Sequence, residues 1–144
     1  MWITKDNIVR FIDMDRTTMD CVDRGITKID YIPEGITHLF CDRNRLTELP
    51  KLPDSLTYLD FRNNQLTELP KLPNSLIGLY CDHDKLTKLP ILPENLTSLH
   101  CWENDLPYRV TLKRFKEHDI LSIKEHNTFL KRKKIINQIL NEKH

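Results

Sequence analysis

The sequence predicts an α/β repeat solenoid, in which five short parallel strands form one sheet along the concave face. The phrase LTELPKLP occupies residues 46–53 and recurs at residues 66–73. Apolar residues recur at the same interval of twenty through most of the chain. Paired prolines stand between successive apolar segments and disfavour helices there. Self-similarity at a fixed period of this length is typical of stacked-repeat architectures, which explains the recurring phrase.

Rows of twenty residues align the side chains that such a fold would bury. The aligned columns are Leu39, Leu59, Leu79 and Leu99; Ile36, Leu56, Leu76 and Leu96; Ile26, Leu46, Leu66, Leu86 and Leu106; and Cys21, Cys41, Phe61, Cys81 and Cys101. One row cannot bury its apolar side alone, so the rows stack and their strands pair in parallel. Equivalent side chains then meet across about 4.8 Å, the spacing between paired strands.

Each row should contribute one strand and one return segment. Strands are expected near residues 17–22, 37–42, 57–62, 77–82 and 97–102. Alternation along the third of them, TYLDFR, directs Leu59 and Phe61 into the core and Tyr58 and Asp60 to the concave surface. The prolines fix φ and remove amide donors, so the convex returns should be extended and polyproline-like.

One row reads L-x-x-L-x-L-x-x-N-x-L, as in LTYLDFRNNQL at residues 56–66, and this pattern resembles the leucine-rich repeat. The row with LTxLPxLPxSL is most similar to the short repeat subclass of bacterial secreted effectors. The chain has no alanine and only three glycines, and with this bias it also resembles small repeat proteins of large DNA viruses of amoebae. The resemblance covers about residues 17–106 and implies a rigid concave sheet suited to recognition rather than to bond-making.

The chain divides into three parts on this interpretation. Residues 1–16 should cap the first coil, with a helix over residues 5–13; residues 17–106 hold the repeats, in rows that start near 21, 41, 61 and 81; residues 107–144 should form a helical C-terminal cap with a basic tail. Residues 111–142 lack Pro and Gly and carry apolar residues at helical spacing. This spacing predicts two helices, split near His118 and Asp119.

The charges are divided unevenly along the chain. Residues 1–106 carry 12 Lys or Arg and 17 Asp or Glu, whereas residues 107–144 carry 10 and 4, so an acidic body precedes a basic tail. No apolar run approaches the roughly 18 residues of a membrane span, and the first residues lack the apolar stretch of a signal peptide. We therefore expect an intracellular protein with no membrane partner, in the cytoplasm, or in the host-cell cytoplasm if the chain is viral.

A polar column stands at the turn after each strand. Its members are Asn44, Asn64, Asp84 and Asn104. An asparagine there can bond backbone groups of its own coil and of the neighbouring coil, so we expect a structural ladder. Asp84 can accept hydrogen bonds but cannot donate one when it is ionised.

Nothing in the sequence predicts a catalytic residue, a metal site or a cofactor. The four cysteines fall at core positions, and their spacing differs from the short pairs typical of zinc ligands, so they should be reduced thiols packed as small apolar groups. Alternation places Cys81 inside while Asp82 and His100 point outward, so these residues do not converge on a metal. The phosphate-binding, nucleophile-elbow and zinc-protease motifs are all absent from the sequence.

The outward strand positions form three columns across the predicted sheet. The columns are Thr18, His38, Tyr58, Gly78 and Ser98; Asp20, Phe40, Asp60, Tyr80 and His100; and Val22, Asp42, Arg62, Asp82 and Trp102. Exposed aromatic side chains interleaved with charged ones are typical of protein interfaces, and nothing in the fold requires them here. The predicted partner-binding residues are Phe40, Asp42, Tyr58, Asp60, Arg62, Tyr80, Asp82, His100 and Trp102.

We predict a non-enzymatic protein-protein interaction module whose protein partner binds the concave face. An acidic body suits a partner with a basic or mixed patch. One alternative is a catalytic effector fragment, since effectors with similar repeats can carry a ubiquitin-ligase domain after them; the 38 residues after Leu106 hold no cysteine, which argues against it. Another is nucleic-acid or phosphate binding through the basic helix with KRKK at residues 131–134; sparse aromatic residues and the acidic body argue against it.

Overall fold

The computed structural model describes residues 1–111 and 120–142. The strands are β1 (Trp2–Ile3), β2 (Thr18–Asp20), β3 (Lys28–Ile29), β4 (His38–Phe40), β5 (Tyr58–Asp60), β6 (Gly78–Tyr80), β7 (Ser98–His100), β8 (Arg109–Thr111) and β9 (Ile120–Ser122). A 3-10 helix covers Ile8–Phe11, and the α-helix α1 covers Ile123–Glu142. No helix in the described ranges is long and apolar enough to cross a membrane.

The main sheet confirms the predicted fold class. Its five strands are parallel and lie in the order β2-β4-β5-β6-β7. Each strand is three residues long, falls inside its predicted range and pairs with the residues twenty positions further along. Leu39, Leu59, Leu79 and Leu99 therefore stand side by side across four strands.

The core is a stack of equivalent apolar side chains beneath this sheet. Leu39, Leu59 and Leu79 are fully buried, and Phe61 fills the column where the other coils place a cysteine. All four cysteines are free and buried, as the sequence predicted. Burying one leucine contributes about 1.5–3 kcal/mol, so the repeated column is a large part of what holds the coils together.

Side-chain amides join each turn to the coil before it. Asn44 Nδ2 donates to the carbonyl oxygens of Cys21 at 2.8 Å and Cys41 at 3.0 Å, while its Oδ1 accepts the Ile26 N–H at 2.9 Å. Asn64 and Asn104 make the equivalent contacts in their own coils. One side chain thus serves backbone groups that the turn would otherwise leave unpaired.

The residue before this amide column adopts a left-handed backbone in every coil. The five residues have φ between 52° and 57° and none is glycine; they are Asp23, Arg43, Asn63, His83 and Glu103. A residue with a Cβ is strained there by roughly 1–2 kcal/mol. After Arg43, Asn63 and Glu103 the next residue is an asparagine, whose side-chain hydrogen bonds help to hold the turn in this conformation.

The N-terminal segment joins the first return segment through a strand that the sequence did not predict. β1 pairs with β3 in parallel, and Ile3 is fully buried. Only Ile8–Phe11 is helical, as one 3-10 segment, so the helix predicted over residues 5–13 is wrong. The Asn7 side chain accepts the Thr4 N–H at 2.9 Å and ties the preceding residues into a turn, which leaves room for little helix.

The C-terminal segment contains one described helix rather than two. β8 and β9 form a parallel pair, so the helix predicted at residues 111 and 120–122 is wrong there. The rest of the first predicted helix, residues 112–119, lies outside the described residues. Short apolar segments fit a strand as well as a helix, which is why the spacing misled.

The start and the docking of α1 have clear causes. The N–H and hydroxyl of Ser122 donate to Glu125 Oε2 at 2.9 and 2.8 Å, which is a capping box. The buried Asn127 amide pairs with both backbone groups of Leu92, accepting its N–H at 2.8 Å and donating to its carbonyl at 2.7 Å. His126 Nε2 lies 2.9 Å from the Pro90 carbonyl oxygen. Residues 131–142 are exposed on all sides, so only the first turns of α1 rest on the repeats.

Replacing Asn127 with alanine is expected to release α1 from the last return segment. The N–H and carbonyl of Leu92 would both lose their partner at a buried place, which costs about 1–3 kcal/mol for each group. Hydrogen exchange at the Leu92 amide and in the first turn of α1 should accelerate. Asn137→Ala, at an exposed position of the same helix, is the matched control. Unchanged exchange in the Asn127 variant would show that other contacts hold the helix.

Candidate functional site

The predicted partner-binding residues lie on the sheet or immediately after its strands, but most are less exposed than the sequence suggested. Phe40, Tyr58 and Tyr80 are only partly exposed, whereas Trp102 is 48% exposed. The expectation of exposed aromatic side chains is therefore wrong for three of these four residues. The reason is the spacing of about 4.8 Å between strands, which lets each ring cover its neighbour.

Three rings, those of His38, Phe40 and Tyr58, pack together at the N-terminal side of this face. His38 stacks on Tyr58 with ring centres 5.0 Å apart and planes 13° from parallel, and Phe40 lies 6.2 Å from His38. Gly78 makes room for this arrangement, because a Cβ there would lie 2.5 Å from the Tyr58 ring. Position 78 is the one glycine in the outward columns, and a glycine inside a strand signals close approach of a neighbour.

A second group of rings lies at the C-terminal side of the face and consists of Tyr80, His100 and Trp102; we call it the ring cluster. The Tyr80 and His100 ring centres are 4.8 Å apart with planes at 59°, and those of His100 and Trp102 are 4.5 Å apart at 36°. The Tyr80 hydroxyl lies 2.9 Å from Ser98 Oγ. Tilted packing and the hydroxyl contact hold the rings in place while Trp102 keeps an open side.

An ion pair lies beside Tyr80 of the ring cluster. Arg62 Nε and Nη2 donate to the two carboxylate oxygens of Asp60 at 2.9 and 2.7 Å. The same guanidinium lies 5.5 Å from the centre of the Tyr80 ring. The hydrogen bond to Asp60 raises the pKa of Arg62, so this cation stays charged and oriented on the face.

Three of the four carboxylates in the outward columns are buried rather than solvated. Asp42, Asp60 and Asp82 are 9%, 7% and 5% exposed. Burial, and then the nearby charge of Asp60, raises the pKa of Asp42. Asp82 Oδ1 has no hydrogen-bond partner among the described residues. The face therefore combines aromatic rings with negative charge that the fold compensates only in part.

Asp84 occupies one place in the polar column of Asn44, Asn64, Asp84 and Asn104, but it does not make all the contacts that the asparagines make. Its Oδ1 accepts the Leu66 N–H at 3.0 Å, as Asn64 Oδ1 accepts the Leu46 N–H at 2.9 Å. Its Oδ2 is buried and has no hydrogen-bond partner in the described part of the chain. Burial raises the pKa of Asp84 to about 7, although backbone N–H groups act in the opposite direction.

The thiols are enclosed, and the acidic residues that the structure describes are not grouped to bind a metal ion. Burial raises the pKa of Cys81 and Cys101, and a hydrogen bond with Cys21 is the first cause that raises that of Cys41. Protonated, enclosed thiols are poor nucleophiles and poor metal ligands. Within the described residues, no three His, Cys, Asp or Glu side chains are grouped so that they could hold a metal ion.

No protein-family model matches the sequence, and no curated protein matches it significantly. Solved structures do resemble it. YopM from Yersinia enterocolitica WA-314 is 34% identical over 67% of the chain, with a TM-score of 0.58. A Shigella effector leucine-rich-repeat domain is 29% identical over 81% of the chain, with a TM-score of 0.62.

The chain is a leucine-rich-repeat protein. Its twenty-residue period and parallel solenoid are like those of the bacterial effectors that it resembles. This leucine-rich-repeat chain spans 21% of the YopM chain and 54% of the Shigella chain, so the likeness concerns the repeats and not the whole of either protein.

In this leucine-rich-repeat protein, sequence analysis placed the functional candidates on one face but missed how they combine. It did not foresee the contact of Ser98 with Tyr80 or the space that Gly78 leaves for Tyr58. The pairing of Asp60 with Arg62 also went unnoticed, although residues two apart on a strand share a face. Residue spacing in the sequence identifies which side chains are neighbours. Packing sets their rotamers, and the rotamers decide which of these neighbours are in contact.

Proposed function

We propose that this leucine-rich-repeat protein is a non-enzymatic module that binds a protein partner on its concave face. The observation that carries the proposal is the ring cluster, in which Trp102 is half exposed beside two rings that hold its position. Rigid aromatic side chains dominate many interfaces because they bury a large area at little cost in conformational entropy. The likeness to a Shigella effector domain supports a protein partner and a place of action inside a cell.

The state of the thiols supports binding rather than thioester catalysis. The thiols are buried and held protonated, so they are unsuited to form a thioester.

The proposal predicts that folding and binding separate on the concave face. The double variant Tyr80→Ala/Trp102→Ala should lose at least about 2 kcal/mol of partner affinity, because a few aromatic anchors supply most of an interface's binding energy. Its melting temperature should fall by only a few degrees, since neither ring belongs to the leucine core. Affinity capture from cell lysate, with the wild type and the variant side by side, measures the first effect, and calorimetry measures the second.

A charge variant of α1 distinguishes this site from the basic helix. Neutralising residues 131–134 with glutamine removes the KRKK cluster from an exposed part of the helix. Partner capture should persist in this variant. If it is lost here and retained by Tyr80→Ala/Trp102→Ala, the partner binds the helix, and the concave face is only its support.

A further inference from the structure

The concave face carries more negative charge than its own cation compensates. Its outward columns hold four carboxylates and one guanidinium; they are Asp20, Asp42, Asp60, Asp82 and Arg62. Three of the four carboxylates are at least nine-tenths buried. A carboxylate held in a poorly solvated place is costly unless a positive charge lies against it.

Asp82 stands apart from the other carboxylates. Asp60 accepts both side-chain hydrogen bonds of Arg62, and Asp20 accepts the Val22 N–H at 3.1 Å. Asp82 is 5% exposed, and its Oδ1 is enclosed without any donor in the described structure. Arg62 is near enough to attract Asp82 by charge, but both of its side-chain hydrogen bonds go to Asp60. Asp82 therefore has no hydrogen-bonded cation among the described residues, while its column position directs it toward the concave side.

The face already shows how it accommodates a guanidinium. The Arg62 guanidinium donates two hydrogen bonds to Asp60 and lies 5.5 Å from the centre of the Tyr80 ring. In the column of Arg62, the next two coils place a carboxylate and an indole but no cation. Asp82 stands in the same column as Trp102, and the His83 N–H bonds the Trp102 carbonyl at 3.2 Å where the two coils meet. Tryptophan is the aromatic side chain that attracts a cation best.

We propose that the concave face recognises a segment of another protein that presents an arginine, whose guanidinium seats against Asp82 and the open side of Trp102. The proposal rests on the proposed function, because it uses the same face and names the chemistry of its partner. Arginine fits better than lysine, because its guanidinium is more weakly hydrated and its plane can stack on an indole while it pairs with a poorly solvated carboxylate. A nucleic acid is the wrong occupant, since its phosphates would meet the buried carboxylates.

A peptide selection tests the proposal and does not require the natural partner to be identified first. A random-peptide phage library is selected on the immobilised full chain, and the enriched peptides are synthesised. We expect enrichment of arginine. A selected peptide should bind about tenfold or more weakly to Asp82→Asn, and weaken likewise when its arginine becomes alanine. Replacing that arginine by lysine should weaken binding less. Binding should fall as salt rises, because part of the attraction is electrostatic.

Two controls keep the result interpretable. Asp54→Asn removes the same charge from an exposed position in a convex return and should leave peptide binding unchanged. Asp82→Asn should melt at or above the temperature of the wild type, because it removes a buried carboxylate oxygen that has no partner. A lower affinity together with an unchanged or higher melting temperature therefore cannot come from unfolding.

The outcomes that overturn the proposal are distinct. Enriched peptides without a cation, no enrichment, or full binding to Asp82→Asn would each reject the arginine site. If peptides still bind that variant but fail on Tyr80→Ala/Trp102→Ala, the concave binding site stands and only the arginine assignment fails. If they bind both variants like the wild type, both proposals fail. A synthetic peptide of residues 123–142, which contains Arg132, is the last probe; if it binds more tightly than any selected peptide, the occupant is a second copy rather than another protein.

Discussion

Replacing Leu59 with alanine is expected to lower the free energy of unfolding by about 2–5 kcal/mol. Leu59 is fully buried and pairs with Leu39 on one side and Leu79 on the other. The truncation removes transfer energy and leaves a cavity against both neighbouring coils. Coils in a solenoid are stabilised mainly by their nearest neighbours, so damage in the middle of a short array can unfold the whole.

Urea denaturation monitored by circular dichroism measures this effect. Leu69→Ala is the matched control, because the same atoms are removed from a partly buried position in a return segment. The control should lose clearly less stability than the Leu59 variant. Equal losses in the two variants would mean that the column through the strands is no more important than the convex side.

Asp84→Asn is expected to stabilise the protein at neutral and alkaline pH. It should also remove the part of the pH dependence of stability that comes from Asp84. In the amide column, the other coils place a donor where Asp84 has the unpartnered Oδ2. Asparagine supplies that donor and removes a buried charge, which should be worth about 1–3 kcal/mol above pH 7.

The direction of the pH effect follows from the raised pKa of Asp84. The pKa rises from 3.8 to about 7, so the folded state holds this proton more tightly than the unfolded chain does. The resulting stabilisation is complete below about pH 4 and is lost as the pH rises to about 7. Its slope within that window is at most about 1.4 kcal/mol per pH unit.

Melting temperatures of the wild type and of Asp84→Asn, measured across this window, test the expectation. The advantage of the variant should be small near pH 4 and should grow until about pH 7. Asp54→Asn, at an exposed position, should track the wild type throughout. A constant difference between the Asp84 variant and the wild type at all pH values would show that Asp84 does not titrate in this range.

Most of the solenoid was predictable because its strand pairing follows from the twenty-residue repeat of apolar residues in the sequence. Burial of Leu39, Leu59 and Leu79 in one column requires parallel strands in register, and no other pairing places identical side chains together. The ends were predicted less well, because they do not repeat. The capping box at Ser122 and Glu125 is visible as S-x-x-E in the sequence and identifies the start of α1 better than apolar spacing did. No comparable signal announces that β1 pairs with β3.

The candidate site was predictable as a surface but not as a set of contacts. Alternation along each strand places Tyr80, Asp82 and Arg62 on one side. Whether Arg62 turns to Asp60 or to Asp82 depends on rotamers and on the space left by neighbours, which one-dimensional spacing does not contain. Burial of the carboxylates depends in the same way on rings from adjacent coils.

The register of twenty makes this protein tolerant of changes in length only in whole steps. Strand pairing in the five-stranded sheet joins each residue to its equivalent one coil away, so excision or duplication of a complete coil would bring equivalents together again at the seam. An insertion of one residue in a strand would instead move leucines out of the core and carboxylates into it. The concave face can therefore be lengthened in steps of about 4.8 Å, each adding one new set of side chains to the surface.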